Sequence, residues 1–117
     1  MRARAKRLTD EIAQAALRDF RAGLKDLYGT MPPDLVVYGS YARDEATEDS
    51  DLDLLLVYST PVNASLEIKR LVSLLADINL RYGMLLSVLP VSAAAYRESQ
   101  GPFWRNVRRE GVPVDAG

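Results

Sequence analysis

Two aspartates and a glycine–serine pair are the residues of this sequence best suited to chemistry. Asp51 and Asp53 open the apolar run DLDLLLVY (51–58), and ten residues separate them from Gly39-Ser40, which ends the shorter run LVVY (35–38). Side chains alternate faces along a strand, so Asp51 and Asp53 are expected to project together while Leu52, Leu54 and Leu56 line the opposite face. Two carboxylates about 6 Å apart repel by roughly 2–3 kcal/mol at an effective dielectric near 20. Solvent or a divalent cation must offset that repulsion. Two carboxylates together with substrate phosphates are a usual way to hold Mg²⁺. Gly39 lets main chain approach a ligand closely. The N–H groups of a helix start, with the Ser40 hydroxyl, would form a phosphate cradle. A cradle and an acidic pair on neighbouring strands would make one site for phosphoryl or nucleotidyl transfer, in which positioning and charge neutralisation dominate.

Composition narrows the alternatives. The chain has 117 residues, 48% of them hydrophobic, and a net charge of −1, with no cysteine and no histidine. It is long enough for a single domain over 1–117 with one core. Thiolate zinc sites, disulfides, histidine acid–base catalysis and phosphohistidine chemistry are all excluded, so a metal must be bound by oxygen, which suits Mg²⁺ or Mn²⁺. The near-neutral charge lacks a nucleic-acid footprint. No apolar stretch approaches a membrane span and no signal-peptide core is visible, so the expected location is cytoplasmic, without a membrane partner. Asp49, Asp51 and Asp53 imitate the opening of a calcium loop, but Leu54 and Thr60 stand where its glycine and bidentate glutamate belong. Walker and dinucleotide-binding glycine patterns are absent.

The elements that must hold these residues follow from periodicity. The basic start MRARAKR reads as a solvated helix lead-in. Thr9 is a candidate cap, and Leu8, Ile12, Ala16, Phe20, Leu24 and Leu27 form a helical stripe ending near Gly29. A strand at 35–38, a tight turn continuing as a short helix over 39–46, and a strand at 51–58 come next. A helix over 63–83, capped by Asn63 and stopped by Gly83, leads to a strand at 84–91, where Pro90 suggests an edge or a strand end. Ser92 caps a short helix and Pro102 opens another, ended by Gly111, with VPV (112–114) as a candidate edge strand. Phe103, Trp104 and Val107 are expected to pack that last helix on the sheet, a base-stacking platform being the alternative, with Arg105, Arg108 and Arg109 on its solvated face or in contact with a nucleotide or partner. Tyr38 and Tyr41 flank the glycine–serine turn. This order of elements reads as one α/β (α+β) domain with a small sheet covered by helices.

The stretch GSYARDEATEDSDLDLLLV (39–57) resembles the Gly-Ser, ten residues, Asp-x-Asp signature of the DNA polymerase β nucleotidyltransferase superfamily. More closely, it resembles the minimal nucleotidyltransferases that pair with HEPN proteins, in which Ala42, Arg43, Ser50, Asp51 and Asp53 match the pattern. The resemblance implies the polymerase β-like fold, a small mixed sheet flanked by helices. It implies that Gly39, Ser40 and Arg43 bind ATP or another nucleoside triphosphate, and that Asp51 and Asp53 hold Mg²⁺ and carry catalysis. The implied reaction moves AMP from ATP to a hydroxyl, with a HEPN toxin as the partner and acceptor and this chain as antitoxin. A homo-oligomer remains an alternative assembly. Two departures stand out. Asp44 replaces the usual glycine after Ala-Arg, which is expected to alter the turn. The strand MLLSVLPV lacks the third acid of the superfamily, and Ser87 occupies its place. Glu45, Glu48 and Asp49 are the loop carboxylates available to substitute. The alternative reading is a catalytically weak module that binds its HEPN partner without efficient transfer.

Overall fold

The computed structural model describes residues 10–47 and 49–114. Helix α1 spans Glu11–Tyr28, strand β1 Asp34–Tyr38 and strand β2 Leu52–Tyr58. Helix α2 (Ala64–Tyr82) leads to β3 (Leu86–Ser92), followed by α3 (Ala93–Glu98), α4 (Pro102–Glu110) and β4 (Val112–Pro113). The strands form one mixed sheet in the order β3-β2-β1-β4. Strand β2 runs antiparallel to β1 and parallel to β3, and β4 adds to β1 antiparallel.

Strand alternation divides the core. Leu52, Leu54 and Leu56 face α1 and α2, where they pack with Phe20, Leu24, Leu71 and Ile78. Leu55 points the other way, into a smaller cluster with Val36, Val91 and Val107, which α3 and α4 cover. Leu54, Leu55 and Leu56 are all fully buried, so β2 is the central strand, apolar on both faces beyond its first residues. Burial of each such leucine contributes about 1.5–3 kcal/mol. Asp53 falls on the α3/α4 face, near the start of the strand, and is half-buried.

The caps follow the sequence. Asn63 accepts a bond from Leu66 N–H at 3.2 Å, Gly83 closes α2 in the left-handed region, and Ser92 accepts from Ala95 N–H at 3.1 Å. Pro102 opens α4 at its first turn. The stripe of α1 differs in detail from the periodic expectation. Its buried residues are Ala13, Ala16, Leu17, Phe20 and Leu24, while Ile12 is 52% and Leu27 42% exposed. A strict every-fourth row drifts by about 40° per step, so Ile12 rotates off the contact face, and Tyr28 takes the packing place at the other end. Leu8 and Thr9 lie outside the described residues, as does the basic start.

Strand β3 is an edge strand, and Pro90 explains how that edge is tolerated. Leu52 N–H donates to Leu85 O at 2.9 Å, so Leu86 directs its own main-chain groups away from β2. Leu86 N–H donates instead to the Asn79 side chain at 3.1 Å. Alternation then puts the missing N–H of Pro90 on the same open side, which blunts pairing with a further strand. Among the described residues no helix is long and apolar enough to cross a membrane.

Candidate functional site

The acidic pair lies at the entry to β2. Asp51 precedes the strand and is exposed, whereas Asp53 is its second residue and half-buried. The antiparallel register sets Asp53 opposite Tyr38, the last residue of β1. The parallel register sets it opposite Ser87 of β3. Partners in register share a face, so Tyr38, Asp53 and Ser87 form a row across three strands. Burial pushes the Asp53 carboxyl above its ordinary range, the neighbouring Asp51 charge pushes it further, and the Arg43 guanidinium pulls it back. The structure thus brings both predicted acids together, although Asp51 is supplied by the loop rather than by the strand.

That loop is clasped. Ser50 Oγ accepts from Thr47 N–H at 2.9 Å, and Ser50 N–H donates to Thr47 O at 3.0 Å. The clasp delivers Asp51 to the strand entry. The signature alone did not say what Ser50 does; its place directly before the first motif acid was the only hint.

Gly39 and Ser40 begin the turn that follows β1. Gly39 adopts a positive φ of 73°, and a Cβ built there would meet the carboxylate of Asp53. Any other residue would therefore be strained by its backbone and would displace the acid. The predicted short helix is instead a single helical turn. Arg43 N–H bonds Gly39 O at 3.2 Å, Asp44 N–H bonds Tyr41 O at 3.4 Å and Glu45 N–H bonds Ser40 O at 2.8 Å. The last two bonds, with Asp44 at φ 58°, are the pattern of a Schellman closure whose left-handed residue is Asp44. Aspartate enters that region more readily than most residues. Asp44 thus occupies the left-handed conformation that glycine would adopt without strain. Among the described residues, the N–H groups of Ser40, Tyr41 and Ala42 donate to no main-chain oxygen.

Arg43 leans over the site from this turn, 3.0 Å from Glu45 and 3.5 Å from Glu110 at the end of α4. Glu110 was not legible as a site neighbour, because only the tertiary fold brings α4 beside the turn. Tyr41 points away. It is buried in the α1/α2 core, so of the two flanking tyrosines only Tyr38 borders the acids. Of the loop carboxylates, Glu45 is engaged by Arg43, Asp49 is exposed and Glu48 lies outside the described residues. Among the described residues no group of three or more carboxylates could hold a metal. Asp51 and Asp53 are hard oxygen donors of the kind that fits a divalent ion completed by substrate phosphates, and Gly39 is the residue that lets the turn lie against the Asp53 carboxylate.

The model of the nucleotidyltransferase domain family matches residues 17–94, from the middle of α1 to the start of α3. This chain belongs to the nucleotidyltransferase domain family. Two proteins of Methanocaldococcus jannaschii, each named "putative protein adenylyltransferase", are similar to it. One is 28% identical over 99 residues, covering 84% of this chain and 93% of the relative. The other is 37% identical over 62 residues, covering 53% of this chain and 60% of the relative. Two crystal structures share the nucleotidyltransferase fold. A toxin–antitoxin with AMP-PNP aligns with TM-score 0.57 at 12% identity, over 86% of this chain and 70% of that one. A mutant of the toxin–antitoxin MntA-HpeT aligns with TM-score 0.54 at 11% identity, over 86% and 72%.

Proposed function

We propose that this nucleotidyltransferase-family chain transfers AMP from ATP to a hydroxyl, with Mg²⁺ held by Asp51 and Asp53. The observation that carries the reading is the contact between Gly39 and Asp53: the turn is cut back to glycine where it meets the acid. Ser40, with the N–H groups that follow it, takes the triphosphate tail, and Arg43 faces it from the same turn. Asp51 and Asp53 are the metal-holding, catalytic pair. A metal bound there would neutralise charge on the transferring phosphate and its pyrophosphate leaving group. The raised carboxyl of Asp53 is relieved by any cation that enters.

The names of the similar proteins support a protein hydroxyl as the acceptor and a toxin–antitoxin role. In that role a HEPN-type helical protein is the partner and acceptor, and the chain acts in the cytoplasm as a single catalytic domain.

A thermal-shift titration with ATP and Mg²⁺, run beside Asp51→Ala, tests the site. Binding at a hundred times the dissociation constant stabilises a fold by about 2.7 kcal/mol. The expected result is a metal-dependent shift that the variant loses. No shift in the intact protein at millimolar ATP would overturn the reading.

A second reading, a binding module with weak transfer, is favoured by one feature: Ser87, a poor base at neutral pH, stands opposite Asp53. A positioned general base contributes about 10²–10⁴-fold. If the module reading holds, Ser87→Asp accelerates pyrophosphate release from ATP by about 10²-fold. An already fast native protein would dismiss it.

A further inference from the structure

Helix α4 brings an aromatic surface to the rim of the acidic site. Val107 is buried and Trp104 half-buried in the small core beneath the helix, as packing requires. Phe103 is different: 42% of it is exposed. Its ring stands nearly perpendicular to Tyr38, with centroids 5.7 Å apart, and nearly perpendicular to Trp104 at 5.3 Å. Two edge-to-face contacts fix the ring's orientation, so little conformational freedom remains for a ligand to remove. Tyr38 is the register partner of Asp53 and directly precedes Gly39. The exposed ring therefore lies one aromatic contact away from both the acids and the phosphate turn. Isolated exposed apolar side chains are common. This one is held by Tyr38, the residue that precedes the turn and pairs with Asp53, so an apolar wall joins a few polar groups, the composition of a ligand site.

We propose that Phe103 is the base-stacking residue of the site, and that it reads the nucleoside while the turn and the acids read the triphosphate. The proposal rests on the nucleotide reading given above. Stacking accepts any base, because every base has a π-face. It favours purines through their larger face. Tyr38 and Trp104 act as positioning residues that hold the ring upright.

The test compares two ligands that share phosphates and differ in the base. Equilibrium binding of ATP and of inorganic tripolyphosphate, both with Mg²⁺, would be measured on the intact chain, Phe103→Leu and Phe103→Trp. Leucine keeps apolar bulk and removes the π-face, and tryptophan keeps the π-face. Phe103→Leu is expected to weaken ATP about fivefold or more while leaving tripolyphosphate unchanged, and Phe103→Trp to bind ATP at least as well as the native protein. Unchanged ATP affinity in Phe103→Leu, or equal weakening for both ligands, would overturn the proposal while leaving the phosphate and metal site standing. If the native chain bound neither ligand, the nucleotide reading itself would fall, and this proposal with it.

Discussion

Two groups of aspartates in this molecule receive opposite treatment. At the entry to β2, Asp53 is half-buried beside Asp51, and its carboxyl is pushed up by burial and by its neighbour's charge. Where α1 crosses α2, Asp19 accepts bonds from the Tyr82 hydroxyl and, at 2.8 Å, from Arg81, whose other nitrogen bonds Asp77 at 2.7 Å. Those partners hold the Asp19 carboxyl below its ordinary range. One aspartate is stabilised as an anion and fastens two helices together. The other makes no ion pair among the described residues, and the Arg43 charge only partly offsets its burial and its acidic neighbour. The contrast separates a staple from a site: a staple is satisfied within the chain, whereas a site leaves its charge for a ligand to satisfy.

Several changes would break or sharpen that contrast. The largest effect is expected from Asp53→Ala, which should remove the whole Mg²⁺- and ATP-dependent stabilisation, about 2.7 kcal/mol at a hundredfold excess over the dissociation constant. Asp19→Ala should leave that increment intact. A metal-dependent increment surviving Asp53→Ala in a melting titration would reverse the two assignments.

Gly39→Ala tests the contact between turn and acid. Its left-handed backbone alone costs about 1–2 kcal/mol, and the new methyl displaces the Asp53 carboxylate. Denaturant unfolding should show the loss, and nucleotide binding should fall with it. A neutral Gly39→Ala would mean that the turn shifts freely and that the acid needs no glycine.

The pH dependences of the two aspartates should have opposite signs. Asp53 has a folded pKa above its unfolded value, so its contribution favours the fold at low pH and is lost as pH rises through the folded pKa. Asp53→Asn should therefore raise the melting temperature of the ligand-free protein at pH 7 and change little at pH 3. Asp19 has a depressed folded pKa, so its contribution is present above the unfolded value and disappears as pH falls through the folded one. Asp19→Asn should lower the melting temperature at pH 7, with the difference shrinking in acid. Melting curves of both variants across pH 3–7 check the two signs together. The smallest effect is expected from Glu110→Gln, which removes a partly exposed ion pair with Arg43 and another with Arg109, each worth about 0.2–1 kcal/mol. A loss above that range in chemical denaturation would make the α4–turn connection structural rather than peripheral.

Much of the architecture was legible in advance because it is local. Caps such as Asn63 and Ser92 bond main chain three residues away, and the run 51–58 announces a strand by its apolar continuity. The acidic pair and the Gly39-Ser40 turn were visible for the same reason, since spacing along one strand–turn–strand unit determines which face each residue takes. Closure of the turn at Asp44 was not legible, because a Schellman bond pattern depends on one residue's φ and not on composition. The approach of Glu110 to Arg43, the exposure of Phe103 beside Tyr38 and the orientation of Tyr41 were beyond reach. Each depends on which sheet face a helix more than fifty residues away, or on the far side of the sheet, comes to cover.

The chain by itself therefore determined most of its elements, its doubly apolar strand and the residues proposed to hold phosphate and metal, because these follow from side-chain type and period. Only the tertiary structure decided that Asp53 faces Tyr38 and Ser87, that Arg43 meets Glu110, and that Phe103 stands over the rim. Those pairings arise from strand register and helix docking, which are set by the burial of a whole core and by no residue acting alone.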